Sequence, residues 1–374
     1  MRKKEVRAMS KAQKKPKEPL FHIVKRGGLV WWKAWLIRLA AILAALIVCG
    51  LVTLSLTGLN PLKVYQAMYM GALGTNRLVW SLWQEVAMLL CVSVAVTPAF
   101  KMRFWNIGAE GQVLMGGLAA AMCVILFGGK IPDSQLIPLM VVSSIVTGAL
   151  WAYIPAVFKA GWNTNETLFT LMMNYIATQL VAYFTLEWSM PKGSGTPRVL
   201  EYGQLPVIGG KAYLLNIIIV AAITVFMFVY LKYSKHGYEI AVVGGSENTA
   251  RYIGINVKKV IKRTMLLSGA ICGVAGLLLV AGTDHSLKST TAGGRGFTAI
   301  MVSWLAKFNP IFMIMTSFLI VFLEKGASKI SERFRLNDSF SDIITGIIIF
   351  FIIGSEFFIN YQIKFNNKTE EELR

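Results

Sequence analysis

Apolar runs of about 20 residues recur along the whole chain, and each is long enough to cross roughly 30 Å of hydrocarbon. Hydrophobic residues make up 55% of the 374 residues and charged residues only 15%. Soluble domains carry about 25% charged residues. The sequence therefore predicts an all-α fold, a polytopic membrane helix bundle with about ten transmembrane segments. The predicted spans are 36–58, 80–100, 107–127, 136–158, 167–187, 213–231, 264–282, 297–308, 309–323 and 340–359.

The run at 297–308 is too short to cross a bilayer alone. Asn309-Pro310 follows it directly, and proline disfavours helix at the residue before it. We therefore expect one short, broken helix, surrounded by protein or by a water-filled cavity. If this helix counts as a crossing, the basic segment 324–339 lies outside the cell and the C-terminus inside. If the helix is re-entrant, both sides are exchanged.

The formal net charge of +19 is concentrated in particular flanks of the spans. Residues 1–35 form a basic tail, which places the N-terminus on the cytoplasmic side of the cell membrane. The hydrophilic stretch 232–263 is also basic and falls on the cytoplasmic side. The expected organisation is the tail 1–35, a transmembrane domain 36–359 and a C-terminal tail 360–374. Because the basic tail has no interleaved aromatics, nucleic acid is not an expected partner.

No motif for catalysis or for metal binding is present. The phosphate-binding pattern G-x-x-x-x-G-K-[ST] is absent, as are H-E-x-x-H and Cys-pair patterns. The four cysteines lie inside apolar runs, which is typical of small core residues rather than of a disulfide framework. Gly293-Gly294-Arg295-Gly296 is interpreted as a flexible turn. The chain is not expected to be an enzyme, and any ATP and Mg²⁺ would bind to another subunit.

Polar groups inside apolar runs give the candidates for a solute path, because such groups are costly in lipid. Glu110 follows Asn106 by four residues on one helical face. Thr170 and Asn174 share a face in the same way, and interhelical hydrogen bonding explains them equally well. Glu85, near the start of its span, is interpreted either as a buried charge or as a charge that snorkels at the membrane edge. The path candidates are Asn106, Glu110, Gln112, Thr170, Asn174 and Trp304, the last as a stacking partner for a ring-shaped solute.

The cytoplasmic stretch contains signals for a short, capped helix. Ser246 is suited to the N-cap and Gly254 to the C-terminal turn. One or two turns would then display Glu247, Asn248, Arg251 and Tyr252. Such a helix, held between two spans, suits docking into a groove on a partner. A solvated loop is the alternative.

Four segments in order resemble a known family: FWNIGAEGQVLMGGLAA at 104–120, NETLFTLMMNYIA at 165–177, VVGGSENTARYIGINV at 242–257 and SGAICGVAGLLLVAGT at 268–283. Together they are similar to the permease subunits of bacterial ABC importers for nucleosides and simple sugars, in the branched-chain amino acid and ribose permease group. The resemblance covers about residues 36–358. The segments GAEGQ and MMNYIA favour the nucleoside branch of this group over the ribose branch.

The resemblance implies a half-transporter without catalytic residues of its own. It implies a second homologous permease, ATP-binding cassette subunits and an extracytoplasmic substrate-binding lipoprotein as partners. By carry-over, the residues that couple to the ATPase are Gly245, Glu247, Asn248, Ala250, Arg251, Tyr252 and Gly254. A permease for a simple sugar or another small metabolite stays open, as does an ion-coupled secondary transporter.

Overall fold

The computed structural model describes residues 21–27 and 29–365, which are mostly helical. The predicted tails fall partly outside this range, because residues 1–20 and 366–374 are not among the described residues. A strand β1 (Phe21–Lys25) comes first and a strand β2 (Tyr361–Phe365) comes last. The thirteen α-helices between them are α1 (Trp31–Thr57), α2 (Pro61–Leu73), α3 (Asn76–Lys101), α4 (Ala109–Phe127), α5 (Asp133–Trp162), α6 (Glu166–Glu187), α7 (Leu214–Tyr233), α8 (Lys235–Gly245), α9 (Glu247–Tyr252), α10 (Val257–Leu279), α11 (Arg295–Leu305), α12 (Pro310–Phe334) and α13 (Asp338–Asn360).

The all-α membrane bundle predicted from the apolar runs is confirmed. Eight helices of the described residues are long and apolar enough to cross a bilayer. The two predicted spans outside that set are α6, which carries several polar side chains, and α11. With 11 residues, α11 is the short helix expected before Asn309-Pro310. Asn309 caps α12, and Pro310 occupies its first turn, where a missing N–H costs nothing.

The described residues divide into two units, one made of residues up to 64 with those from 342 onward, the other of residues 65–341. In the first unit β1 and β2 pair antiparallel, with Phe21 opposite Phe365. The two long helices of this unit, α1 and α13, are joined by an ion pair of 2.6 Å between Arg38 and Glu356.

In the second unit α10 is the central helix and packs against α3, α4 and α5. Small residues on α10, namely Gly269, Gly273 and Gly276, allow this close approach. A Cβ atom on Gly273 would overlap the carbonyl oxygen of Ser144 on α5. The backbones of α5 and α10 therefore touch, and no larger residue fits at this crossing.

Contacts along α3 fix the directions of the later helices in this unit. Ser303 Oγ of α11 donates a hydrogen bond of 2.9 Å to the carbonyl of Ser93, and Arg295 pairs with Glu85. Residues 85 and 93 of α3 contact residues 295 and 303 of α11 in the same order along the chain, so α11 runs parallel to α3. The helix α12 runs the other way, because its Met313 lies beside Thr97 whereas its Lys325 Nζ donates to Ser81 Oγ at 2.8 Å.

The loop before α11 therefore covers the first part of a membrane crossing, and the short helix α11 covers the rest. A Cβ on Gly244 of α8 would overlap the carbonyl oxygen of Lys101, which places the 232–263 stretch at the C-terminal end of α3. Lys325 lies at the opposite end, near Ser81. Of the two alternatives left open by the sequence, the structure thus supports the one in which 297–308 counts as a crossing.

Filling the crossing between α5 and α10 should destabilise the bundle. We expect Gly273→Ala to lower the apparent melting temperature of the detergent-purified protein by about 5 °C, because the added Cβ overpacks backbone against backbone. Gly161→Ala is the matched control, since a Cβ there meets nothing within 4 Å. Equal melting temperatures for the two variants would contradict this packing.

Candidate functional site

The segment between α3 and α4 is an irregular stretch, residues 102–108, organised by one buried amide. Asn106 has no exposed surface. Its Oδ1 accepts hydrogen bonds from Gly108 N at 3.0 Å and from Gln112 Nε2 at 3.2 Å, and its Nδ2 donates to Ser268 Oγ at 3.4 Å. Because the amide serves both the turn and the first helical residues, it fixes the way the chain enters α4.

Two residues of α6 hold the same stretch from the other side. Thr170 Oγ1 accepts from Ile107 N at 3.2 Å. Asn174 Oδ1 accepts from Gly111 N at 2.8 Å, and its Nδ2 donates to the Ile107 carbonyl at 2.8 Å. The shared face predicted for Thr170 and Asn174 is confirmed, and its hydrogen bonds go to the backbone before and inside α4. Both side chains are buried in the structure.

Glu110 joins the start of α4 to the start of α11. Its Oε1 accepts from Gly294 N and its Oε2 from Gly296 N, both at 2.7 Å. The carboxylate lies in the first turn of α4 and satisfies two amides at the beginning of α11, so the positive ends of two helix dipoles share one negative charge. A Cβ on Gly296 would overlap the backbone of Glu110, so this approach requires glycine.

Of the two interpretations of Glu85, the structure supports the buried charge and not the snorkelling one. Glu85 forms an ion pair with Arg295, with side chains 29% and 21% exposed. Helix α3 begins at Asn76, so Glu85 lies about 14 Å along it by helical rise. Arg295 is held in turn, because its Nη1 donates to the carbonyls of Thr291 at 3.2 Å and Ala292 at 3.1 Å. The glycine-rich stretch 293–296 is thus a fixed helix start and not a flexible turn.

Exposed aromatic rings lie on the irregular stretch 102–108 and on the short helix α11. Trp304 of α11 is half-exposed, and its ring centroid lies 5.8 Å from that of Trp105, which is equally exposed. Phe297 is exposed and lies seven residues before Trp304, on the same side of α11. Ile107 is partly exposed. We call the surface of Trp105, Ile107, Phe297 and Trp304 the discontinuous face.

The structure brings five of the six path candidates together around the start of α4, and places Trp304 on the discontinuous face with Trp105. Asn106, Gln112, Thr170 and Asn174 have buried side chains, while Glu110 is partly exposed. Their role as a solute path stays a prediction. Sequence reasoning missed Trp105 and the partner of Glu85. The sequence signal for this pair was an acidic residue, Glu85, and a basic residue, Arg295, each close to apolar segments.

The stretch predicted to couple to a partner forms two helices, α8 and α9. Ser246 Oγ accepts from Thr249 N at 3.2 Å, and Gly254 has a positive φ of 84° just beyond α9, as the sequence predicted for both. Tyr252 is 93% exposed. The other residues expected to couple to the ATPase are exposed as well, namely Gly245, Glu247, Asn248, Arg251 and Gly254. Ala250 is the exception, because it is fully buried against the rest of the chain.

An ion pair anchors α8 to the start of α10. Arg263 Nη2 donates to Glu239 Oε2 at 2.8 Å. The hydrogen bond from Arg263 holds the pKa of the Glu239 carboxyl below its usual range, and neighbouring positive charges act in the same direction. Glu239 therefore remains ionised at neutral pH, and its ion pair with Arg263 holds α8 against α10.

Removing the carboxylate shared by two helix starts should destabilise the protein. We expect Glu110→Ala to lower the apparent melting temperature more than Glu110→Gln, because Ala removes both acceptors, each worth about 2 kcal/mol, and Gln keeps one. Glu332→Ala is a control, since Glu332 belongs to an exposed pair with Lys329. The three variants are compared by thermal unfolding in detergent. Equal melting of E110A and E332A would refute the bridging role.

Comparison with known proteins agrees with this architecture. The family described as branched-chain amino acid transport system / permease component matches residues 78–353. The chain is 29% identical over 347 residues to a glucose ABC transporter permease protein of Haloferax volcanii, covering 89% of this chain and 90% of that protein. It is 28% identical over 337 residues to a guanosine ABC transporter permease protein of Bacillus subtilis (88% and 94% covered).

A nucleoside ABC transporter permease protein of Lactococcus lactis is 26% identical over 333 residues, covering 85% of this chain and 90% of that protein. The family match includes α3 to α12 in full apart from the first two residues of α3, and most of α13. It therefore contains the irregular stretch 102–108, the coupling helices and the short helix α11. The chain belongs to the family of branched-chain amino acid transport system permease components.

Proposed function

We propose that this chain is the membrane-spanning permease of an ATP-driven importer and that it carries nucleosides across the cytoplasmic membrane. The main support is the irregular backbone of 102–108 and of the loop before α11, both within the helical bundle. Hydrocarbon does not accommodate unpaired backbone or charges. The discontinuous face and the Glu85–Arg295 pair therefore face a water-filled path or another protein. A second permease, homologous to this one, supplies the opposite wall.

The choice of nucleosides is supported by the relatives named for guanosine and for nucleosides. The half-exposed rings of Trp105 and Trp304 also suit a flat heterocycle, because aromatic rings stack on one another. A simple sugar is the second candidate, favoured by the relative named for glucose.

An ion-coupled mechanism is less well supported. It requires an ionisable side chain, deep in a span, that is free to gain and lose a proton. Glu85 is paired with Arg295, and Glu110 accepts two backbone hydrogen bonds. Both carboxylates thus already bind groups at the start of α11.

In the proposed complex, ATP and Mg²⁺ bind to separate ATP-binding subunits on the cytoplasmic side. An extracytoplasmic lipoprotein delivers the solute to the other side. The exposed helix α9 docks on the ATPase, and the pair of Glu239 with Arg263 carries its movement to α10. The basic stretch 232–263 supports a cytoplasmic position for α9 and for the N-terminus.

Deletion of the gene should abolish nucleoside import. We expect uptake of radiolabelled guanosine and uridine to fall to background in the deletion strain and to return with the intact gene. Unlabelled ribose and glucose should not compete. Unchanged nucleoside uptake, with loss of glucose uptake instead, would favour the sugar permease.

Reversing the charge at Arg251 should uncouple ATP hydrolysis from uptake. Arg251 also pairs with Glu247 at 3.2 Å within α9, so the single change affects both the helix and its partner. The double variant Glu247→Arg/Arg251→Glu restores the pair inside the helix. If Arg251 contacts the ATPase, we expect both variants to lose uptake about tenfold in reconstituted liposomes, because each presents the wrong charge.

ATP hydrolysis by the same liposomes should persist in both variants. Full coupling in the single variant, or its recovery in the double variant, would refute docking through Arg251. The second result would leave Arg251 with a role only inside α9.

A further inference from the structure

The Glu85–Arg295 pair lies within the membrane-spanning part of the bundle, yet both side chains remain partly exposed. Its side chains keep 29% and 21% of their surface, although Glu85 lies well within α3 and Arg295 starts a helix inside the bundle. Charges at this depth do not contact lipid, because their desolvation is costly. The exposed part of the pair therefore faces a water-filled path or another protein, and in a solute permease a water-filled path brings it into contact with the solute.

The pair keeps unused hydrogen-bonding capacity in a fixed geometry. Arg295 Nη1 is bound by two loop carbonyls and its Nη2 by Glu85 Oε2, so the guanidinium cannot swing away. Within the described residues, Glu85 Oε1 and Arg295 Nε have no hydrogen-bond partner, and neither atom is fully buried. One acceptor on Glu85 and one donor on Arg295 thus remain available to a ligand.

The surroundings of the pair favour a neutral ligand. Asp284 interacts electrostatically with Arg295, Glu85 and Lys288, so positive and negative groups are mixed. Asp284 ends a π-helical turn, Val280–Asp284, in which Thr283 accepts a hydrogen bond from Gln84, the neighbour of Glu85. Such π-turns are frequent at functional sites. Neither an anion nor a cation is attracted by this balance of charges.

A carboxylate only accepts hydrogen bonds and a guanidinium only donates them. Two hydroxyl groups on neighbouring carbons match this pair, because each hydroxyl both donates and accepts. We propose that Glu85 and Arg295 form a specificity site for a vicinal diol, binding the ribose of a nucleoside or the ring of a sugar on its way through the bundle. The inference rests on the proposed function as a solute permease and adds the part of the solute that is recognised.

The test compares uptake of a ribonucleoside with that of its 2′,3′-dideoxy counterpart, which lacks the diol. We expect wild type to prefer the ribonucleoside at least about tenfold, because unpaired polar groups reject an analogue that lacks hydroxyls. Glu85→Gln should reduce the preference to about twofold by slowing the ribonucleoside alone. Arg295→Lys keeps the charge but loses the planar fork, and it should also reduce the preference.

The matched control is Glu332→Gln, which neutralises an acid in an exposed pair and should keep the wild-type preference. Amounts of each variant in the membrane are measured so that uptake is compared per transporter. If E85Q slows both solutes equally, the pair has only a structural role and the diol site is overturned. An unchanged preference in E85Q overturns it as well.

Failure of the proposed function gives a different result. If wild type carries sugars and no nucleosides, the same comparison is made between glucose and its 2,4-dideoxy analogue, which has no two hydroxyls on neighbouring carbons, and loss of that preference in E85Q supports the diol site. If wild type takes up neither class, both the proposed function and the diol site are overturned.

Discussion

The carboxylate of Glu110 is the interaction on which the centre of this bundle depends. It lies in the first turn of α4 and accepts two amides at the start of α11, each at 2.7 Å. Two helix N-termini, each with unsatisfied amides and partial positive charge, could not otherwise lie close together away from water. Because Glu110 bridges them, the chain can interrupt two crossings inside the bundle and still satisfy its backbone.

A tightly packed frame makes this interruption possible. Glycines such as Gly273 bring α5 and α10 into backbone contact, so this part of the bundle leaves little freedom to shift. Asn106 and Asn174 then attach the irregular stretch 102–108 to the surrounding helices. The result is a bundle whose interior is fixed by close packing and buried hydrogen bonds, with irregular backbone held between its helices.

The sequence predicted the parts that depend on local pattern. Apolar length located the spans, Asn309-Pro310 located the short helix, and Ser246 located the start of α9, because hydrophobic length and capping act within a few residues. The Glu85–Arg295 pair joins residues 210 positions apart, which no local pattern encodes. The same holds for the burial of Ala250, which depends on how α9 packs against the rest of the chain. For the glycine-rich stretch, composition indicated flexibility, whereas the contact with Glu110 makes it rigid.

The most direct measurement of the central claim is the reaction of single cysteines with a charged methanethiosulfonate, which modifies thiolates in water and not thiols in lipid. In a variant without the four native cysteines, Phe297→Cys samples the discontinuous face and Val225→Cys samples the exposed side of the continuous helix α7. If the discontinuous face lines an aqueous path, F297C reacts, a transported nucleoside slows the reaction, and V225C stays unmodified. Failure of F297C to react, or equal reaction at both positions, would contradict the path.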